Sequence, residues 1–167
     1  EQYDGEVLRF TLLSAHYRQP LDWSEDKLMQ SKKTLDGFYS LIEQSGADLE
    51  GEVYDDVLTS LCDDLNTPLA FSKLHALAKD KTRSLAQRGA DLKATGALLG
   101  ILQQDPQAWF GRGGDDAAQI DALLLERTQA KESKNWARAD EIRVQLTEMG
   151  IEIEDTAEGP RWKKINA

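Results

Sequence analysis

The chain has 167 residues, 40% of them hydrophobic, and a formal net charge of −10. That length accommodates one helical domain with a small appendage, and the acidity argues against a non-specific nucleic-acid binder, which needs a basic surface. A single cysteine, Cys62, excludes an internal disulfide and a CxxC metal pattern, and no run approaches the roughly 18 apolar residues of a membrane span, so a reducing, cytoplasmic setting without a membrane is expected.

No charged-then-apolar leader opens the chain; "GEVLRFTLLSAHY" enters an apolar helix almost at once, as in a piece of something longer. Val7, Leu8, Phe10, Leu12 and Leu13 surround that helix, a pattern that suits burial on all sides. Pro20 breaks it. Ser24 then suits an N-cap, and Leu28, Leu35, Phe38 and Ile42 hold one face until Gly46. Tyr54, Val57, Leu58, Leu61 and Leu65 predict a third helix. Thr67 followed by Pro68 reads as a cap with proline at the first helical position, and Leu74, Leu77, Ala78 and Leu85 carry a fourth helix to Gly89. A fifth runs through Leu92, Leu98, Leu99 and Leu102. "FGRGG", Phe110 to Gly114, is the clearest linker.

Beyond it the pattern changes. Ile120, Leu123, Leu124 and Arg127 begin a helix, and Ala139, Ile142, Leu146 and Met149 mark another, stopped by Gly150. "IEIED" alternates strictly, and "RWKKI" follows a turn containing Gly159-Pro160, so a short hairpin ends the chain. Trp162 is expected to face the small core.

The candidate sites differ in weight. Asp63 and Asp64 are adjacent, so on a helix they diverge and are poorly placed to share one substrate atom; Asp64, Asn66 and Thr67 read instead as the groups that start the next helix. His16 and His75, predicted on different helices, and Cys62 have no metal-ligand spacing. "GRGG" lacks the preceding strand and the Gly-Lys-Ser/Thr ending of a phosphate loop. Both parts of the chain are acidic: 8 Lys and Arg against 12 Asp and Glu from Asp115 onward, 12 against 18 before it. Any nucleic-acid role must therefore rest on a local patch. Arg127, Lys131, Lys134 and Arg138 step by 4, 3 and 4, which on a continuous helix makes one cationic face able to track phosphates. The plainer alternative is a solvated face paired with acids such as Glu126 and Glu132. Trp136 could stack on an unpaired base or pack under the hairpin. Asp140 and Asp155 would repel phosphate, but a carboxylate can accept from the two donors on the Watson–Crick edge of guanine.

Four stretches, "YDGEVLRFTLLSAHYRQPLDWS", "DDLNTP", "ARADEIR" and "GIEIEDTAEGPRW", resemble in order and spacing the C-terminal portion of the cysteinyl-tRNA synthetase family, a class I aminoacyl-tRNA synthetase family. No one of them is decisive; four in register are specific, and the resemblance covers essentially the whole chain. It implies a mainly α fold: an antiparallel helical bundle of the DALR anticodon-binding type, followed by a small helix–helix–β-hairpin domain. Residues 1–19 would resemble a stem-contact helix after the KMSKS region, residues 20–110 the bundle, and residues 115–167 the small domain that reaches the anticodon loop. Trp136, Asp140, Arg143 and Asp155 fall on family positions near the anticodon. Lys131 stands where relatives often have arginine, and a lysine gives no planar bidentate contact. Asn135 and Trp136 stand where many relatives have Asp and Phe.

The same resemblance implies a parent that joins cysteine to its tRNA, anticodon GCA, using ATP, with one zinc ion in an N-terminal catalytic domain. The His-x-Gly-His motif and KMSKS loop of that domain do not occur in this sequence. The chain is thus expected to hold no cofactor or catalytic residue, to be inactive alone, and to partner tRNA and the catalytic domain. Two other classes remain open to the sequence: a free-standing helical adaptor for protein partners, which would leave an apolar patch near Val7–Leu13, and an acid–base enzyme using Asp63 and His16, which would need a pocket joining them. A related ligase that joins cysteine to a sugar amine has no use for the tail.

Overall fold

The computed structural model describes residues 3–46, 50–112, 114, 116–156 and 159–165. These form a first unit up to Pro106 and a second from Gln107. The helical-bundle-plus-hairpin fold expected from the sequence is present.

The first unit contains α1 (Gly5–Leu13), α2 (Glu25–Ser45), α3 (Asp55–Cys62), α4 (Thr67–Lys79) and α5 (Leu85–Leu99). Asp4 caps α1 by accepting from the Glu6 N–H at 2.7 Å. Gly46 ends α2 in the left-handed conformation, φ 56°, as the sequence suggests. Ser24 is the residue before α2 but makes no side-chain cap bond. The core joins Val7, Phe10, Leu35, Phe38, Tyr39, Leu74, Leu77 and Leu92. Phe10 and Phe71 stack at 4.2 Å between centroids.

Two sequence expectations shift here. First, α1 is not enclosed all round: Leu12 is exposed and, with Leu65 and Leu98, lines an open apolar groove. Second, the fourth helix does not run to Gly89. Asp80 accepts from the Thr82 N–H at 2.9 Å and its hydroxyl at 2.6 Å, a local turn that competes with the helix, and Ser84 caps a new one by accepting from Gln87 N–H. Gly89 lies inside α5 because a Cβ there would sit 2.1 Å from Ser45 Oγ; it is a close-approach residue between α5 and α2, not a stop. Helix α1 packs on α2 within this unit, and Glu6 accepts from the Tyr39 hydroxyl at 2.8 Å and the Leu102 N–H at 2.7 Å. Burial, with Glu6 second, pushes the Tyr39 hydroxyl well above its ordinary pKa.

Short α6 (Pro106–Trp109) crosses the division. The segment predicted as linker belongs to the second unit: Phe110 is buried, its carbonyl accepts from Lys164 N–H at 3.1 Å, and Arg112 Nε donates to the Trp162 carbonyl at 2.5 Å. Gly113 lies outside the described residues.

The second unit is α7 (Ala117–Glu132), α8 (Trp136–Glu148), and the antiparallel pair β1 (Ile151–Thr156) and β2 (Gly159–Lys164). Ile120, Leu124, Ile142, Leu146, Ile151 and Trp162 form its core. Trp162 faces inward as expected, opposite Ile153, and its indole N–H donates to Asp121 at 2.7 Å. Gly150, φ 73°, turns α8 into β1.

Candidate nucleic-acid interface

The surface of interest is built where α7 ends, α8 begins and the hairpin reaches its outer end. Helix α7 stops at Glu132, Lys134 takes a left-handed φ of 58°, and Asn135 caps α8 by accepting from Arg138 N–H. The cationic stripe is therefore interrupted: Arg127 and Lys131 lie on α7, Lys134 in the turn and Arg138 on α8.

The four cations also have different surroundings. Arg127 is buried, 7% exposed, and its guanidinium donates to both oxygens of Asp155, at 3.1 and 3.5 Å. Its Nε is buried without a partner among the described residues. Lys131 Nζ reaches the same carboxylate at 2.9 Å. Arg138 donates to Glu126 at 2.8 Å and Glu141 at 3.0 Å, so the pairing with nearby acids expected as the plainer alternative holds for it, through Glu126. Those two carboxylates, Glu126 first, raise the Arg138 pKa. Lys134 is exposed and makes no ion pair among the described residues. An unbroken face of four free cations is ruled out by the helix break and by the paired acids.

Asp155 is the focus of this surface. Its side chain is 56% exposed although two cations hold it. Arg127 first and Lys131 second hold its carboxyl down to about 2. It pairs across the hairpin with Pro160, which brings no N–H to that rung. The link between Asp155 and Arg127 spans 28 positions, so no local pattern in the sequence announces it. Trp136, at the start of α8, is 60% exposed; the indole under the hairpin is Trp162. Asp140 and Arg143 are exposed on α8 and line a shallow concavity with Val144, Thr147 and Glu148.

Elsewhere the sequence candidates resolve into structure. Asp63 follows α3 as its C-cap, and Asn66, not Thr67, caps α4, accepting from Leu69 N–H at 3.2 Å. Asp64 accepts from the Tyr17 hydroxyl at 2.7 Å and from Arg18 at 3.2 Å. His16 sits in the loop after α1 rather than on a helix, 3.9 Å from Asp64 and not joined to Asp63. His75 packs on Phe38, and burial lowers its pKa. Cys62 is exposed. Among the described residues no three His, Cys, Asp or Glu side chains gather as metal ligands.

Sequence comparison bears on the same surface. The family model described as the cysteinyl-tRNA ligase anticodon binding domain matches residues 114–162. A cysteine–tRNA ligase of Xanthomonas euvesicatoria pv. vesicatoria is 46% identical over 98% of the chain. The chain belongs to the cysteinyl-tRNA ligase family. Ligases of Saccharophagus degradans and Paramagnetospirillum magneticum are similarly close, at 46% and 45% identity over 99% and 98% of the chain. The chain spans about 40% of the length of these relatives, namely 40%, 39% and 39%. The second unit thus carries the family's anticodon-binding domain, and helix after helix of the first unit lies within the same likeness.

Proposed function

We propose that the chain is the tRNA-recognition portion of a ligase that joins cysteine to its tRNA using ATP, and that the second unit reads the GCA anticodon. The observation that carries this is the family match over residues 114–162, the segment that holds Lys131, Lys134, Trp136, Asp140, Arg143 and Asp155 at the surface. In a chain of net charge −10, electrostatic attraction to RNA has to be local. Lys134 and Arg143 supply cations for the sugar–phosphate backbone. The exposed Trp136 offers a stacking face to an unpaired base. Asp155, whose charge Arg127 and Lys131 already share, and Asp140 accept from the guanine edge. Residues near the amino end, 1–19, would serve the tRNA stem, and the helices up to about residue 110 would support the body of the anticodon arm. ATP, zinc and amino-acid chemistry belong in this reading to the part of the ligase outside this chain, and the setting is the cytoplasm, where tRNA is charged.

The test is tRNA binding by the purified chain. Fluorescence anisotropy should show tighter binding of the GCA-anticodon tRNA than of the same tRNA with its anticodon guanine replaced. Equal affinities at every salt concentration would overturn the reading. Cysteine-dependent ATP–pyrophosphate exchange should stay at background, and exchange above it would contradict the assignment of chemistry to the rest of the ligase.

A further inference from the structure

Four cations surround this surface, and one of them is built unlike the rest. Arg127 is the enclosed member, with its Nε shut away from water and unpartnered among the described residues and its two terminal nitrogens turned to one carboxylate. A guanidinium placed so deep has no open side to offer a phosphate. We propose that Arg127 is a positioning residue for anticodon reading: it acts on RNA through Asp155, whose carboxylate it fixes at the outer end of the hairpin, rather than by touching RNA. This rests on the reading that Asp155 accepts from a base.

The geometry gives the clamp a task. Asp155 stands at the second-to-last rung of β1, opposite a proline that contributes no backbone donor. A short two-stranded ribbon is weakly held at its tip. A planar fork from the neighbouring helix restrains both the position and the rotation of the carboxylate, which a flexible ammonium cannot do. The oxygens remain ionised and, on their outer side, open to solvent.

The acceptor positions of Asp155 separate Arg127 from Lys131. An ionised carboxylate offers about four acceptor positions. Oδ1 receives one Arg127 nitrogen; Oδ2 receives the other, at the long limit of 3.5 Å, and Lys131 at 2.9 Å. A base edge with two donors therefore needs a place that is now taken. Lys131, with its side chain 36% exposed, is free to swing outward to a phosphate as the base arrives, whereas Arg127, at 9%, stays. The two cations thus do different things for RNA although they share one acid.

The experiment measures affinity of the full 167-residue chain for the GCA tRNA and its guanine-replaced counterpart, across a salt series, for Asp155→Asn, Arg127→Gln, Arg127→Lys and the double variant Asp155→Asn/Arg127→Gln. Arg127→Gln should cut the discrimination between the two tRNAs about tenfold, the scale of one good base contact. Its salt slope should stay that of the unaltered chain, and the double variant should be no worse than Asp155→Asn. A slope lowered by roughly one with discrimination intact is the mark of a direct phosphate contact and overturns the proposal. Melting curves accompany each variant. Should Arg127→Gln fail to fold, Arg127→Lys, which keeps the charge but not the fork, carries the same two readouts: discrimination lost at an unchanged slope supports the positioning role, and full discrimination overturns it. Unchanged discrimination in Asp155→Asn would mean that Asp155 reads no base, and the proposal falls with that reading. Lost discrimination there beside intact discrimination in the Arg127 variants sinks only the positioning role.

Discussion

Asp91 in the first unit and Asp155 in the second are both aspartates gripped by an arginine, with the burial of the two partners exchanged. Asp91 is the enclosed partner, its side chain 2% exposed, and Arg83 lies at the surface at 38%. Asp91 spends its acceptors inward, on Arg83 at 2.6 Å, the Gln87 amide at 2.8 Å and the Glu52 N–H at 2.9 Å. In the second unit the arginine is enclosed at 9% and the acid is outside at 56%. The same chemical pair thus does opposite things. A buried acid is consumed by the chain around it, and a buried base leaves its acid on display.

Breaking each pair at the acid should expose this difference. Asp91→Ala strands the Glu52 N–H and removes the hub that ties the segment before α3 to α5. Losing a buried, multiply bonded charge of this kind costs about 3 kcal/mol, read by urea or thermal unfolding of the first unit. It should leave tRNA discrimination alone. A loss below about 1 kcal/mol would show that the hub is replaceable by water. Asp155→Ala should rank next. An acid more than half exposed contributes only about 1 kcal/mol or less as an ion pair, so the second unit should melt a few degrees lower at most. Its effect on recognition should be larger, a loss of one to two powers of ten for the GCA tRNA, on the roughly 1–3 kcal/mol scale of a base contact. If both tRNAs weaken equally, the carboxylate holds the hairpin and reads nothing.

The two clamps also mark the limit of what the sequence alone could tell. Elements came through where the signal was local: the α2 stop at Gly46, the α8 stripe, the alternating "IEIED" strand and the inward Trp162 all follow from spacing within a few residues. Gly89 misled because close approach to Ser45 and a helix stop call for the same residue. The candidate residues fall within the segment that the family model matches, but their surroundings cannot be read from the sequence. The i, i+4 spacing of Arg127 and Lys131 places them together, yet what decides their role is a carboxylate on a strand brought in by the fold. Two helices were expected here, so the break itself was legible; the left-handed turn at Lys134 was not, since a lysine at positive φ is no sequence rule.

The pH response separates the clamp from an ordinary exposed acid. Asp155 is held down to about 2, by Arg127 before Lys131. A carboxyl lowered on folding contributes its stability above its unfolded pKa and loses it as pH falls through the folded one. The contribution should therefore be complete above about pH 4 and disappear toward pH 2, a window bounded by the unperturbed carboxyl value. Carbon-detected NMR titration of the Asp155 carboxyl should place its midpoint near the lower end. A midpoint near that of free aspartate would mean that the two cations do not hold it in solution.

The smallest effect expected is at Lys134, and its two parts have opposite signs. This residue sits at φ 58° between α7 and α8, a conformation that costs an L-residue with a Cβ about 1 kcal/mol and costs glycine little. Lys134→Gly should therefore raise the melting temperature of the second unit slightly. The same change deletes an exposed cation that makes no ion pair among the described residues, so tRNA affinity should fall. Phosphate carries no sequence information, so the fall should be equal for the GCA and guanine-replaced tRNAs, and the salt slope should drop by roughly one. A more stable variant that binds both tRNAs less well would show a position where backbone strain is tolerated for the sake of a charge. Stability lost on substitution would mean that the lysine is a structural residue of the turn, and a change in discrimination would move it from the phosphate contacts to the base contacts beside Asp155.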